Sequence, residues 1–223
     1  MSQKIGNIKS ELADKGYDFF SNYNSDLSID EVAKSFGKLM VPDNQESTNI
    51  LVPRLAHSGD LNTYSGNFGL SAFPVHTDLP QLRVPPPYLL LRCLKGYTKV
   101  VTPLIDGEYL INRIGKTTLA RSLVMPRKSR SSNVSIFPIY LENGHSSILR
   151  WDELFLRPAS NAGLFGFDKM RAFLLDAPRK NLCLHNYGDT LIINNHRMLH
   201  GRSNILNNYA DRKIERVFLA EVA

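Results

Sequence analysis

His76 and Asp78 stand two positions apart in "FPVHTDLPQL", residues 73–82, at what reads as the end of a strand. On extended backbone, residues i and i+2 point to the same face. An imidazole and a carboxylate placed that way could fill adjacent coordination sites of one metal. Nitrogen and oxygen donors together suit a borderline divalent ion such as iron(II). A solvated His-Asp turn is the bland alternative. Two ligands do not make a site, so a third must come from elsewhere in the chain.

"DTLIINNHRMLHGRS", residues 189–203, offers two candidates. His200 follows a strong strand signal, and the chain leaves it through Gly201. His196 lies four residues earlier, a spacing that on a helix would give a zinc-type pair. The run reads as strand, however, and Arg197 stands where that motif needs an acidic residue. His200 is the preferred third ligand and His196 its competitor. Farther on, Arg212 and Arg216 are four apart on a predicted strand with Ile214 between them and Phe218 beyond, so both arginines face one side. An Arg-Ile-Arg-Phe face is costly as ordinary core, because buried charges need partners.

The elements that must position these residues are short. Helices are predicted over 5–16, with Ile5, Ile8 and Leu12 at helical spacing, and over 28–40. The second opens on a Ser28–Glu31 capping box and carries an Ile29, Val32, Phe36, Leu39 stripe. Strands are predicted over 49–55, 88–94, 98–104, 134–140, 182–186, 189–195 and 213–222. "NYGD", 186–189, reads as a hairpin turn. Residues 151–180 read as partly helical, with Asp168 capping a helix that carries Met170, Phe173 and Leu174. "RVPPPYL" cannot be a central strand, because proline removes ladder donors. Many short strands with a few helices imply a sandwich or jelly roll with the helices packed outside.

Bulk properties narrow the function classes. A chain of 223 residues with 43% hydrophobic content can bury one substantial core. The net charge of +6 favours anionic partners but is spread out. Its densest run, "PRKSRSS" at 126–132, reads as a solvated loop, so no nucleic-acid partner is expected. Cys93 and Cys183 each sit in an apolar run and read as free thiols in a reducing compartment, not a disulfide. The N-terminal "MSQKIGNIKSELADKG" lacks the apolar stretch of a secretory signal, and no apolar run reaches about 18 residues. A soluble cytoplasmic protein without a membrane segment is the expectation.

"FPVHTDLPQLRVPPPYLLLRCL", followed much later by "DTLIINNHRMLHGRS" and a basic terminal strand, resembles the taurine-dioxygenase-like family of Fe(II)/2-oxoglutarate-dependent oxygenases across about residues 70–223. The resemblance implies one domain over 1–223, mainly β with flanking helices. It would be a double-stranded β-helix (jelly roll, cupin-like) with residues 1–45 as a helical part packed on it. It implies an iron triad of His76, Asp78 and His200, with 2-oxoglutarate and O2 as co-substrates. Arg212 matches the family arginine that holds the far carboxylate of 2-oxoglutarate. Thr102 resembles its hydroxyl partner, although "TKVVT" stands where the family carries Gly-Gly-Asp. Arg216 matches an arginine aimed at the reaction centre or an anionic substrate, and the two arginine roles are exchangeable on sequence grounds.

The implied activity is hydroxylation of an unactivated C–H bond of a small anionic substrate, an amino acid or other carboxylate, with release of succinate and CO2. Asp78 argues against halogenation, because related halogenases carry a small residue there. The rivals are a metal-binding jelly-roll sensor or binding module without oxygenase activity and a zinc-type metallohydrolase. Other residues read more plainly. His57, His145 and His185 are structural or surface histidines. Trp151 is core or pocket wall. Arg202 reaches either a substrate carboxylate or a structural ion pair. The segment 62–74, with Tyr64 and Phe68, is a pocket wall or lid.

Overall fold

The computed structural model describes residues 8–42, 46–56, 63–128, 135–144 and 146–223. The first half contains α1 (Ile8–Lys15), β1 (Tyr17–Phe20), α2 (Ile29–Phe36), β2 (Gly37–Met40), β3 (Thr48–Leu51), α3 (Tyr64–Phe68), β4 (Phe73–His76), β5 (Tyr88–Lys95) and β6 (Thr102–Asp106). Next come α4 (Gly107–Ile114), α5 (Lys116–Arg121), β7 (Leu123–Pro126), β8 (Phe137–Pro138), β9 (Tyr140–Asn143), β10 (Ser146–Leu149) and β11 (Leu156–Pro158). The chain closes with α6 (Asn161–Asp176), β12 (Lys180–Leu182), β13 (Thr190–Asn194), β14 (Met198–Arg202) and β15 (Lys213–Val222).

A major sheet runs β1-β13-β5-β15-β2, with β3 also on β15. A minor sheet runs β12-β6-β14-β4, and the pairings in both are antiparallel. From β4 to β6 and from β12 to β15 successive strands alternate between the two sheets, so the chain winds between them as a double-stranded β-helix. Strand alternation sorts the core into three layers. Leu89, Leu91, Cys93, Leu104, Leu191, Ile193, Met198, Ile214 and Phe218 pack together between the sheets. Leu90, Ile192, Val217 and Leu219 sit on the outer face of the major sheet against Ile8, Leu12, Val32 and Phe36 of the first two helices. Ile105 and Leu199 back the minor sheet against α4, α5 and α6. No helix among the described residues is long and apolar enough to cross a membrane.

Several boundaries differ from the sequence reading. The capping box at Ser28 and Glu31 forms as expected, but α2 stops at Phe36 and Leu39 lies in β2. Gly37 makes this possible: a Cβ there would lie 2.0 Å from the carbonyl oxygen of Glu221, so only glycine lets β2 meet β15 at once. Asp168 is not a cap. It lies inside α6, whose N-cap is Ser160, with Oγ accepting the Gly163 amide at 2.9 Å. β6 begins only at Thr102, because Tyr97–Val100 closes a turn. "NYGD" does turn, with the Asp189 amide on the Asn186 carbonyl at 3.1 Å, but it joins β12 and β13 on different sheets and so is no hairpin. β12 ends at Leu182, because fully buried Asp189 draws the amides of His185, Asn186 and Asn22 onto its carboxylate. Ile5, at the start of the first predicted helix, and Val134, at the start of a predicted strand, lie outside the described residues.

Arg92 is the outward polar residue of β5 and is only 2% exposed. Its guanidinium donates to the carbonyls of Leu27 and Asn24 at 2.7 Å each and of Tyr23 at 3.4 Å. This ties down a loop that turns through left-handed Asn22 and Asn24. Arg92→Met is expected to lower stability by about 3 kcal/mol or more, since hydrogen bonds to a charged donor are lost and buried carbonyls are stranded. A urea midpoint unchanged from that of the parent protein would contradict this.

Candidate metal centre

The ladder of the minor sheet brings the first two candidate ligands together. β4 and β14 pair with His76 directly opposite His200, and their ring centroids are 4.7 Å apart. Asp78 follows just past the end of β4. Its Oδ1 lies 3.4 Å from His76 Nε2 and 3.5 Å from His200 Nε2. The three candidate ligand atoms lie within 4.8 Å of one another, and all three residues are buried. His76 Nδ1 is 2.8 Å from the Pro74 carbonyl. A carbonyl only accepts, so Nδ1 carries a proton, and Nε2 is the ring nitrogen turned inward toward Asp78. Buried His200 Nδ1 has no partner.

The outer oxygen of Asp78 meets Arg216 Nη1 at 3.3 Å. Burial opposes ionisation of Asp78, but Arg216 and the two imidazoles outweigh it and hold the carboxyl well below the usual carboxylate range. The two rings move oppositely. Burial prevails at His200 and lowers it, whereas at His76 the hydrogen bond and charge of Asp78 overcome burial and raise it. An ionised carboxylate with the Nε2 atoms of two imidazoles turned toward it is a donor set that a divalent cation can take over in place of the ring protons.

Behind this cluster the barrel interior is cationic. Arg216 lies on β15 between the inward-facing Ile214 and Phe218. Arg212 directly precedes β15 and is 6% exposed, with its buried Nε unpartnered. Burial lowers its pKa, and the thiols of Cys93 and Cys183 are among the groups around it. Thr102 is buried at the start of β6, two residues before inward-facing Leu104. Such a buried, uncompensated guanidinium matches a carboxylate ligand in charge and shape.

The remaining candidates resolve structurally. His196 is no part of the cluster: its Nε2 donates to the Pro85 carbonyl at 2.8 Å. Arg202 has no ion-pair partner among the described residues. Its guanidinium stacks on Phe73 at 3.6 Å and donates to the carbonyls of Gly69 and Ser71 at 2.7 and 2.6 Å. It thereby ties the segment before β4 to the strand carrying His200. Trp151 is core, packed on Phe167 with centroids 4.5 Å apart. His185 is a surface residue beside Asp189, and His57 and His145 lie outside the described residues. Cys93 is buried, Cys183 is half-buried, and both are free thiols.

Tyr64 was read only as part of a pocket wall or lid, and Asp152 and Asn195 escaped the sequence reading. Tyr64 of α3 stacks on His76 with centroids 4.0 Å apart and planes at 17°, so the segment read as a wall does cover a ligand. Asp152 is a buried carboxylate near His76 and Tyr64 whose pKa burial raises. It accepts the amides of Leu154 and Phe155 at 2.8 Å each. Asn195 grips the backbone of Asp78, its Oδ1 accepting the Asp78 amide at 2.7 Å and its Nδ2 donating to the Asp78 carbonyl at 3.0 Å. The doubled asparagine in "INNH" was its only trace in the sequence.

The fold around this site is that of the cupin-like iron and 2-oxoglutarate oxygenases. Among solved structures, the chain is similar to an asparagine oxygenase at TM-score 0.70 and 14% identity, with 95% of this chain and 76% of that one covered. It is similar to the non-heme iron oxygenase OrfP in complex with Fe and alpha-ketoglutaric acid at TM-score 0.70 and 16% identity, with 96% and 78% covered. PvcB, an Fe, alpha-ketoglutarate dependent oxygenase from an isonitrile synthetic pathway, matches at TM-score 0.65 and 17% identity, with 95% and 78% covered. No protein-family model and no curated protein matches the sequence.

Proposed function

We propose that the protein is an Fe(II)- and 2-oxoglutarate-dependent oxygenase of the taurine-dioxygenase-like type. It hydroxylates an unactivated C–H bond of a small anionic substrate, an amino acid or other carboxylate. The observation that carries this reading is the convergence of His76, Asp78 and His200 in a fold that also buries Arg212, whose Nε has no partner among the described residues. The binding-module rival has no use for Arg212, and a metallohydrolase has no use for a second acid-binding pocket. The structural neighbours include an asparagine oxygenase, and OrfP was captured with (3S)-hydroxy-L-Arg, which supports an amino-acid-sized substrate. We take residues 1–223 as one domain, and the free thiols favour the cytoplasm.

In this reading His76 Nε2, one oxygen of Asp78 and His200 Nε2 would hold iron. Bound iron with 2-oxoglutarate and O2 supplies the oxidative decarboxylation that yields succinate, CO2 and an oxygen atom for the substrate. Arg212, with Thr102 at its side of the barrel, holds the far carboxylate of 2-oxoglutarate. Arg216 keeps Asp78 ionised and presents positive charge to an anionic substrate. Tyr64 covers the outer face of His76, while Leu91, Ile193 and Phe218 line a dry interior that excludes water. Iron(II) and 2-oxoglutarate added without oxygen are expected to produce a visible charge-transfer band, and admission of air with a metabolite pool should give succinate and a product heavier by one oxygen. Absence of both band and succinate would overturn the proposal.

A further inference from the structure

We infer that Asn195 is the positioning residue for Asp78, standing in for a sheet ladder that ends too early; this rests on the oxygenase reading above. Two of the three ligands need no special device, because His76 and His200 face each other across β4 and β14. Asp78 has no such neighbour. β4 ends at His76, the Thr77 amide goes to the Trp151 carbonyl at 2.9 Å, and Leu79 turns the chain through φ +53°. Asn195, 1% exposed, meets both backbone groups of Asp78 as a facing strand residue would. Its second amide hydrogen reaches the Pro86 carbonyl at 2.8 Å, and its own backbone N–H reaches the Pro87 carbonyl at 2.8 Å.

One acceptor and two donors on a short stem are all required, and all are used. Aspartate lacks the donors, and glutamine is a methylene too long. Asn195 also follows β13 directly and lies on the turn into β14, the strand that carries His200. A single turn therefore sets the backbone of one ligand and delivers another. The carboxylate has to be held within about 0.5 Å of its productive place for the three donors to act together.

Cobalt(II) titration of the purified, metal-free protein tests this, read by binding affinity and by the d–d absorption bands. Asn195→Ala and Asn195→Asp should each bind cobalt about 10–100-fold more weakly, with altered bands, as loss of a supporting partner of a metal ligand does. Arg197→Met serves as control. Arg197 lies on the same turn, bonded to Asp106 and to the Ala13 carbonyl, and none of its bonds reaches the 76–87 loop. This variant should melt lower than the parent protein yet bind cobalt as tightly. Where Asn195→Ala fails to fold, Asn195→Asp carries the test, since it keeps the acceptor and loses both donors. Parent-like affinity and bands in the Asn195 variants would overturn the inference while leaving the oxygenase reading intact. So would an affinity that falls equally in Arg197→Met, which would make the effect general destabilisation. A parent protein that takes up no cobalt would overturn both.

Discussion

His200→Ala should leave a folded protein that no longer retains ferrous iron and turns over at least about 100-fold more slowly, a larger loss than supporting partners cause. The side chain hangs from the middle of β14, whose neighbours Leu199 and Gly201 keep their places in the sheet, so the far-ultraviolet circular dichroism should not change. Removing the imidazole leaves His76 and Asp78 alone, and two donors do not fix a divalent cation against water. The informative contrast is His196→Ala. The His196 ring donates to the Pro85 carbonyl, away from the triad, so its loss should lower the melting temperature while iron stays bound. Iron content after gel filtration, together with the succinate rate, separates the two. Iron retained by His200→Ala and lost by His196→Ala would move the third ligand to position 196.

Arg212→Met should damage function and help the apoprotein. A carboxylate buried without its guanidinium partner loses about 2–5 kcal/mol of binding, so KM for 2-oxoglutarate should rise about 30-fold or more. Without a ligand the same guanidinium is buried, its Nε unsatisfied, and burial weakens its hold on its proton. An apolar chain of similar length removes that cost, so the ligand-free variant should melt at or above the parent temperature. Excess 2-oxoglutarate should raise the melting temperature of the parent and leave the variant unmoved. Should Arg216→Met instead abolish the 2-oxoglutarate effect while Arg212→Met keeps it, the two arginines exchange roles.

Much of this architecture was legible because strand alternation is a local rule. The limits of β15 needed only the residues themselves, and the i, i+2 spacing pointed to the right pair although Asp78 lies past the end of β4. What escaped depends on contacts between distant segments. α2 ends where Gly37 meets Glu221, almost the whole chain away. α6 hides its start because Ser160 is followed by Asn-Ala-Gly instead of an acidic first turn. Its Gly166, which looks like a helix breaker, is required where a Cβ would come within 2.0 Å of the Ser122 hydroxyl. Tyr64 covers His76 through a stacking contact with no spacing rule in sequence, and Asn195 acts across 117 positions.

Residues 80–87 have no ladder, and four prolines among them leave the loop's carbonyls dependent on donors from elsewhere. Arg150 serves Pro80, Leu82 and Arg83, Asn195 serves Pro86 and Pro87, and His196 serves Pro85. All of these donors leave the ribosome well after the loop they secure, and His200, Arg212 and Arg216 later still. A nascent chain therefore exposes its first two metal-binding side chains long before a pocket exists to confine an ion. On the oxygenase reading, metal loading follows folding, and the half-made protein offers no complete site.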